Sequence, residues 1–175
     1  DYSSLRGIGS GGSPLPATVL ARARAVFGDV IHGMYGMAET YSCGLIMRRE
    51  NQVTEGPPEQ VARLASAGKP MVFMQVRVVG EDGRDVPHDN ASAGEIWLQG
   101  DSVSSGYFRM PEETALVREG DWLKTGDVAV VDVESFVSIV DRKKDIIITG
   151  GINVFSRDIE EALYAHPAVA EAAAI

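Results

Sequence analysis

The sequence predicts an α/β plus β chain, and three observations predict it. Residues 1–45 read as strand, helix and strand. Residues from about 46 to 140 read as short apolar strands separated by turn signals, expected to form a compact antiparallel barrel or sheet. A charged run, Asp141-Arg142-Lys143-Lys144-Asp145, then breaks the pattern, and a strand and a helix follow it in residues 146–175. The run over 141–145 reads as a hinge or boundary.

The opening stretch SSLRGIGSGG is a short strand running into a glycine loop. Ser13 is placed as an N-cap and Pro14 as the first helical residue. Leu15, Val19, Leu20, Ala23, Val26 and Phe27 recur at helical spacing, and Gly28 ends the helix. Val30 and Ile31 begin a buried strand that leads into the loop HGMYGMAET. Further on, MVFMQVRVV, GEIWLQG, WLKTGDVAVVD and FVSIV read as strands, with Glu81-Asp82-Gly83 as a turn. PEETALVREG is the helix expected among them, from Pro111 to just before Gly120. After the charged run come a strand, IIIT, the pair Gly150-Gly151, and a helix capped by Ser156 that ends before His166-Pro167.

Of the 175 residues, 45% are hydrophobic, enough for a real core, and the formal net charge of −9 disfavours nucleic acid or an anionic membrane surface as a partner. One cysteine, Cys43, excludes an intramolecular disulfide and suits a reducing compartment, so a cytoplasmic location is expected. No apolar run reaches the roughly 18 residues of a membrane span. The apolar ending AVAEAAAI suggests a piece of something longer. His32, His88 and His166 have no partner at metal spacing, so no histidine-based catalysis is expected.

Gly7, Gly9 and Gly12 spell G-x-G-x-x-G, the spacing that brings backbone amides to a dinucleotide pyrophosphate. That fold needs an apolar strand before the glycines and an acidic residue at the end of the next strand to hold ribose. Here the first strand is polar, the next ends in Tyr35-Gly36, and antiparallel strands follow. An NAD-binding oxidoreductase is therefore the second reading.

Four motifs carry a stronger signal: YGMAET (35–40), GEIWLQGDSVSSGYF (94–108), WLKTGD (122–127) and IVDRKKDIIITGG (139–151). In this order and at these spacings they resemble the later core motifs of the adenylate-forming (AMP-binding) acyl-CoA synthetase superfamily, and among its members the fatty-acyl-CoA ligases. The resemblance implies the end of a large-domain α/β subdomain in 1–45, a distorted β-barrel in 46–140, a hinge in 141–145, and the start of a small α+β C-terminal domain in 146–175. It implies a two-step reaction: a carboxylic acid and Mg-ATP give an acyl-adenylate and pyrophosphate, and the thiol of CoA then displaces AMP.

The same resemblance assigns residues. Gly11, Gly12 and Ser13, in GSGGSPL, correspond to the segment whose backbone passes close to adenine, where a side chain would collide with the ring. Tyr35 matches the aromatic residue stacked on adenine, Ile139 the aliphatic residue beside it, and Gly36 a wall of the acyl pocket. Asp127 matches the carboxylate that takes both ribose hydroxyls, with Arg142 also at the ribose. Glu39 matches the catalytic glutamate that holds Mg2+. Lys144 falls at the hinge and Gly151 beside the CoA tunnel. Ala38 stands where the family has threonine, which removes a phosphate contact that Thr40 is not assigned to replace; Trp122 is expected to be packing.

Two parts that the resemblance implies, an upstream phosphate loop and a downstream catalytic lysine, lie outside these residues, so the chain alone is expected to be inactive. Glycine at 36, in place of a bulky aromatic, implies an acid larger than acetate, first a fatty acid and second an aryl acid, with Met34 trimming the pocket. The rival readings are an adenylation domain that loads a carrier protein and a non-catalytic nucleotide-binding module.

Overall fold

A computed structural model describes residues 1–12, 17–149, 152–164, 166 and 168–174. Ser13, Pro14, Leu15, Gly150, Gly151 and Pro167 therefore lie outside the described residues.

The N-terminal unit is the expected strand, helix and strand. Strand β1 (Ile8–Ser10) pairs in parallel with β2 (Ile31–Tyr35), Ile8 opposite Ile31, and helix α1 (Ala17–Phe27) connects them. Gly28 ends α1 at φ +78°, its N–H donating to the Arg24 carbonyl at 2.9 Å. Leu20 is buried, whereas Val19 and Val26 of the expected apolar face are exposed, with no described element packed over them. Strand β3 (Leu45–Met47) runs antiparallel to β2, and β4 (Lys69–Pro70) antiparallel to β3. Between them lies a helix absent from the sequence expectation, α2 (Pro58–Ala62), with proline at its first position.

The middle of the chain forms a curled antiparallel sheet of β5 (Met74–Val79), β6 (Gly94–Gly100), β7 (Arg118–Glu119), β8 (Trp122–Val131) and β9 (Val137–Arg142), with helix α3 (Pro111–Leu116) before β7. The order is β5-β6-β8-β7, and β9 pairs with the second half of β8. Strands β5 and β6 share an unbroken register from Met74 opposite Gly100 to Val79 opposite Glu95. One face of this sheet buries Met74, Val78, Ile96, Leu98, Ala129, Val131 and Val137 against Leu45 of β3. The expected helix PEETALVREG is shorter than the sequence suggests. It stops at Leu116, because Gly120, at φ +58°, turns the chain so that Glu119 pairs with Trp122.

The sheet curls until its β9 edge meets the segment leading into β4. Ala67 N–H donates to the Val137 carbonyl and Val137 N–H to the Gly68 carbonyl, both at 2.9 Å. Gly68, at φ +100°, has no room for a Cβ beside the Ile46 carbonyl. The result is a half-barrel closed along the β9 edge by the segment before β4.

Beyond β9, β10 (Ile147–Thr149) and β11 (Ile152–Val154) form a hairpin that the sequence reading had as one strand, and α4 (Ser156–Tyr164) follows. Asp141 and Arg142 of the charged run belong to β9. Asp141 is buried and ties α4 to that strand: Ser156 N–H donates to Oδ2 at 2.6 Å and Ser156 Oγ to Oδ1 at 3.0 Å.

Candidate functional site

The site begins as an irregularity in β8. Opposite the two-residue step from Glu95 to Trp97 on β6, β8 advances four residues from Lys124 to Val128, so Thr125, Gly126 and Asp127 bulge from the ladder. Gly126 takes φ +77° there, and its N–H donates to Glu95 Oε1 at 3.0 Å. Thr125 Oγ1 donates to the Ile96 carbonyl at 2.9 Å and accepts the Asp127 N–H at 3.1 Å. The bulge is therefore a fixed loop, and it presents a carboxylate.

Asp127 lies opposite Arg142 in the β8–β9 register, with Arg142 Nε 3.2 Å from Oδ1. From the end of β2, Tyr35 donates its hydroxyl to Oδ2 at 2.7 Å. Asp127 is 8% exposed, so this is a largely desolvated carboxylate. Burial of the Tyr35 phenol, reinforced by the Asp127 charge, pushes its pKa far above the usual tyrosine value. It remains a proton donor across the physiological range.

Around this cluster lies a cavity of about 740 Å³ between β1, β2, the bulge, the end of β9 and α4. Of the residues assigned from sequence, Gly12, Tyr35, Gly36, Asp127, Ile139, Arg142 and Lys144 line it; Gly11 and Glu39 do not. Ser13 and Gly151 lie outside the described residues. Leu20, Ile31, Met34, Met47 and Leu64 form an apolar wall. The described lining contains no cysteine or histidine. Such a space offers a flat aromatic face, bare backbone, the desolvated Asp127 carboxylate beside Asp141, which is engaged by Ser156, and flanking cations, which suits a planar base joined to a diol and an anion.

Two glycines owe their identity to packing. A Cβ at Gly11 would stand 2.8 Å from the Met34 carbonyl, so β2 requires glycine there. At Gly36 a Cβ would stand 2.3 Å from the Ser42 carbonyl carbon, because Tyr41 and Ser42 both adopt left-handed backbone and fold the loop back onto it. The missing side chain at 36 thus points at backbone and opens no acyl space, which removes the argument for a larger acid drawn from that residue.

Glu39 stands apart from the cavity lining, half-buried, with Tyr107 Oη donating to Oε1 at 2.7 Å. That hydrogen bond, with burial, raises the Tyr107 pKa. Ser104 N–H donates to the Glu39 carbonyl at 2.7 Å. Thr40, fully buried, spends its hydroxyl on the Met37 backbone and is not free to replace the hydroxyl missing at Ala38. Trp122 packs under the Arg77 guanidinium, as a structural residue would. None of the histidines lines the cavity.

Sequence reasoning passed over Thr125, Tyr107 and Asp141. Thr125 and Tyr107 stand inside quoted motifs, WLKTGD and SSGYF, where the signal was available; Asp141 was hidden in a charged run that reads as a solvated face.

Comparison with known proteins fits this geometry. The sequence profile of the family described as AMP-binding enzyme matches residues 1–108. The chain is 41% identical over 171 residues to the probable acyl-activating enzyme 4 of Arabidopsis thaliana, covering 94% of this chain and 31% of that protein. It is 36% identical to the medium/long-chain-fatty-acid–CoA ligase FadD8 of Mycobacterium tuberculosis (98% and 28%) and 38% identical to a feruloyl-CoA synthase of an Amycolatopsis species (100% and 33%). Among solved structures, the unliganded o-succinylbenzoate CoA synthetase MenE of Bacillus subtilis superposes with a TM-score of 0.84 at 32% identity, over 98% of this chain and 35% of that one. The same protein with ATP and magnesium ion superposes at 0.81 and 33% identity, over 96% and 33%. The chain spans about a third of the length of the curated relatives it matches.

Proposed function

Because the chain belongs to the AMP-binding enzyme family, we propose that it is the nucleotide-holding part of an ATP-dependent carboxylic acid:CoA ligase. The observation that carries this reading is the convergence of Gly12, Tyr35, Ile139, Asp127 and Arg142 on one cavity. In this reading the acid's carboxylate attacks the α-phosphorus of ATP, forming the acyl-adenylate and releasing pyrophosphate. The CoA thiol then attacks the acyl carbonyl, and AMP leaves with the electron pair of the broken mixed anhydride.

The chain's own residues bind and orient. The Tyr35 ring stacks on adenine, with Ile139 alongside it and the Gly12 backbone beneath it. A Cβ at Gly12 would meet nothing within 4 Å among the described residues. Asp127 accepts the ribose hydroxyls and Arg142 reaches the ribose. Mg2+, when bound, neutralises phosphate charge. Glu39 would hold it, and one carboxylate suits a metal that takes its other ligands from phosphates and water, since no group of three such side chains occurs among the described residues. Lys144, exposed just after β9, is the hinge about which residues 146–175 turn between the two steps, and the family resemblance assigns Gly151, outside the described residues, to the CoA tunnel.

The acid is a medium- or long-chain fatty acid, a reading supported by the apolar wall of Leu20, Ile31, Met47 and Leu64 and by the likeness to FadD8. A second reading, an aryl acid, is supported by the likeness to a feruloyl-CoA synthase. A cytoplasmic location fits the single cysteine; no helix among the described residues is long and apolar enough to cross a membrane. The test is acid-dependent ATP/pyrophosphate exchange by the intact protein that carries this chain, across fatty, aryl and amino acids, with CoA and carrier protein as acceptors. Exchange with fatty acids and thioester formation on CoA is expected. Exchange with amino acids alone points to carrier loading, and silence with every acid refutes the enzyme reading.

A further inference from the structure

We infer that Tyr35 acts through its hydroxyl as the positioning residue for Asp127, joining the base platform and the ribose clamp into one unit. The inference rests on the proposed nucleotide reading and goes beyond it, since stacking alone asks nothing of a hydroxyl.

An ionised carboxylate offers about four lone-pair sites, two on each oxygen. Here Tyr35 Oη takes one on Oδ2 at 2.7 Å and Arg142 Nε takes one on Oδ1 at 3.2 Å. One site is left on each oxygen, the number a cis-diol needs. The two holders differ in strength. The Arg142 side chain is 63% exposed and its contact is long, so solvent and salt compete for it. The Tyr35 ring packs against the core and its hydrogen bond is short and partly buried. Gly44, where a Cβ would stand 2.9 Å from the Tyr35 carbonyl and 3.4 Å from Cδ1, lets the following strand pass close to the ring. Packing and the hydrogen bond together restrict the phenol, and through it Oδ2. Asp127 also donates its N–H to Thr125, which fixes the backbone but leaves the carboxylate's rotation to Tyr35 and Arg142.

The test compares binding of ATP, 2′-deoxy-ATP and 3′-deoxy-ATP to the intact protein and to Tyr35→Phe, Asp127→Ala and the double variant, by calorimetry. Phenylalanine keeps the stacking face and removes the hydroxyl. The preference for ATP over each deoxynucleotide is expected to fall about 3- to 10-fold in Tyr35→Phe, the net worth of one such hydrogen bond. It should collapse in Asp127→Ala and fall no further in the double variant. This preference is a ratio within one protein, so a reduced folded fraction leaves it unchanged. Should Tyr35→Phe not fold, 3-fluorotyrosine at position 35, a stronger donor on the same ring, is expected to raise the preference instead. A preference that survives in Tyr35→Phe but collapses in Asp127→Ala overturns this inference and leaves the ribose reading standing. A preference that survives in Asp127→Ala overturns the ribose reading itself.

Discussion

Removing one buried carboxylate, Asp141→Ala, should loosen the C-terminal segment and leave the half-barrel intact. Asp141 holds three donors: Ser156 N–H at 2.6 Å, Ser156 Oγ at 3.0 Å and Arg142 N–H at 2.7 Å. The first two join β9 to the start of α4. Alanine removes a charge-assisted hydrogen bond and an N-terminal cap together and leaves the buried Ser156 amide without its acceptor. The three losses are one event and not additive, which gives about 2–3 kcal/mol. Because the bond reports on docking of 152–164 and not on the main core, the cost falls on local opening. Amide exchange in α4 should accelerate about 30- to 150-fold, the same free energy expressed as an equilibrium constant. Hydrogen–deuterium exchange followed by mass spectrometry reads this directly, with peptides covering β5 and β6 as the internal reference. In Asp141→Asn one oxygen can still accept from Ser156 N–H, so a smaller acceleration is expected. If α4 peptides exchange at the wild-type rate, or if β6 accelerates as much as α4, the tie is not what holds the segment and the reasoning fails.

Two further outcomes follow from the same kind of reading. Asp127→Ala in the intact protein should lower kcat/KM for ATP about 100-fold or more, the worth of two hydrogen bonds to a charged acceptor, while the KM for CoA stays near its wild-type value; separate assays of pyrophosphate exchange and of thioester formation from preformed acyl-adenylate check this, and equal losses in both would count against a ribose role. For Asp132, burial acts to raise the carboxyl pKa, but the Phe136 N–H, the Arg63 guanidinium and the Glu134 N–H outweigh it and hold it below the ordinary value. A lowered folded-state pKa means stability that is present above the unfolded value near 4 and is lost as pH falls through the folded one. Urea midpoints at pH 7, 4 and 3 should therefore show Asp132→Asn destabilised at neutral pH and converging on wild type in acid; a constant gap would contradict the assignment.

The elements that the sequence made legible are those whose burial and turn chemistry agree locally. GEIWLQG becomes β6 over the same residues, with Gly94, Ile96 and Leu98 buried and Glu95 and Trp97 between them half-buried. Gly28 ends α1 where the periodicity stops. The failures are elements defined by a partner. Strand β7 is two residues long and exists because Gly120 folds it onto β8, so a propensity reading extends α3 through it. Val19 and Val26 keep helical spacing without a covering layer, and spacing alone cannot say what lies above a face. Likewise the convergence of Tyr35 and Asp127, 92 residues apart, depends on the bulge in β8, and the direction a side chain at Gly36 would take is set by Tyr41 and Ser42, neither a glycine, which carry the left-handed turn that closes over it.

The glycines at 7, 9 and 12 show the same division within six residues. Gly9 lies inside β1, where side chains alternate, and so Gly9 and Gly11 face the same neighbour. A Cβ at Gly9 would stand 2.6 Å from Met34 Cε, and one at Gly11 would stand 2.8 Å from the Met34 carbonyl. Gly11, which faces backbone, lets the chain lie close against β2, whereas at Gly9 the neighbour is the flexible end of the Met34 side chain. Gly12, one residue on, turns away at φ +87° into open space and lines the cavity. A spacing motif counts Gly7, Gly9 and Gly12 as equivalent, but the structure separates them: Gly7 and Gly9 precede and enter β1, whereas Gly12, of opposite parity, lines the cavity. For a glycine-rich stretch that begins as a strand, parity along that strand is therefore the better guide to which glycine meets a ligand.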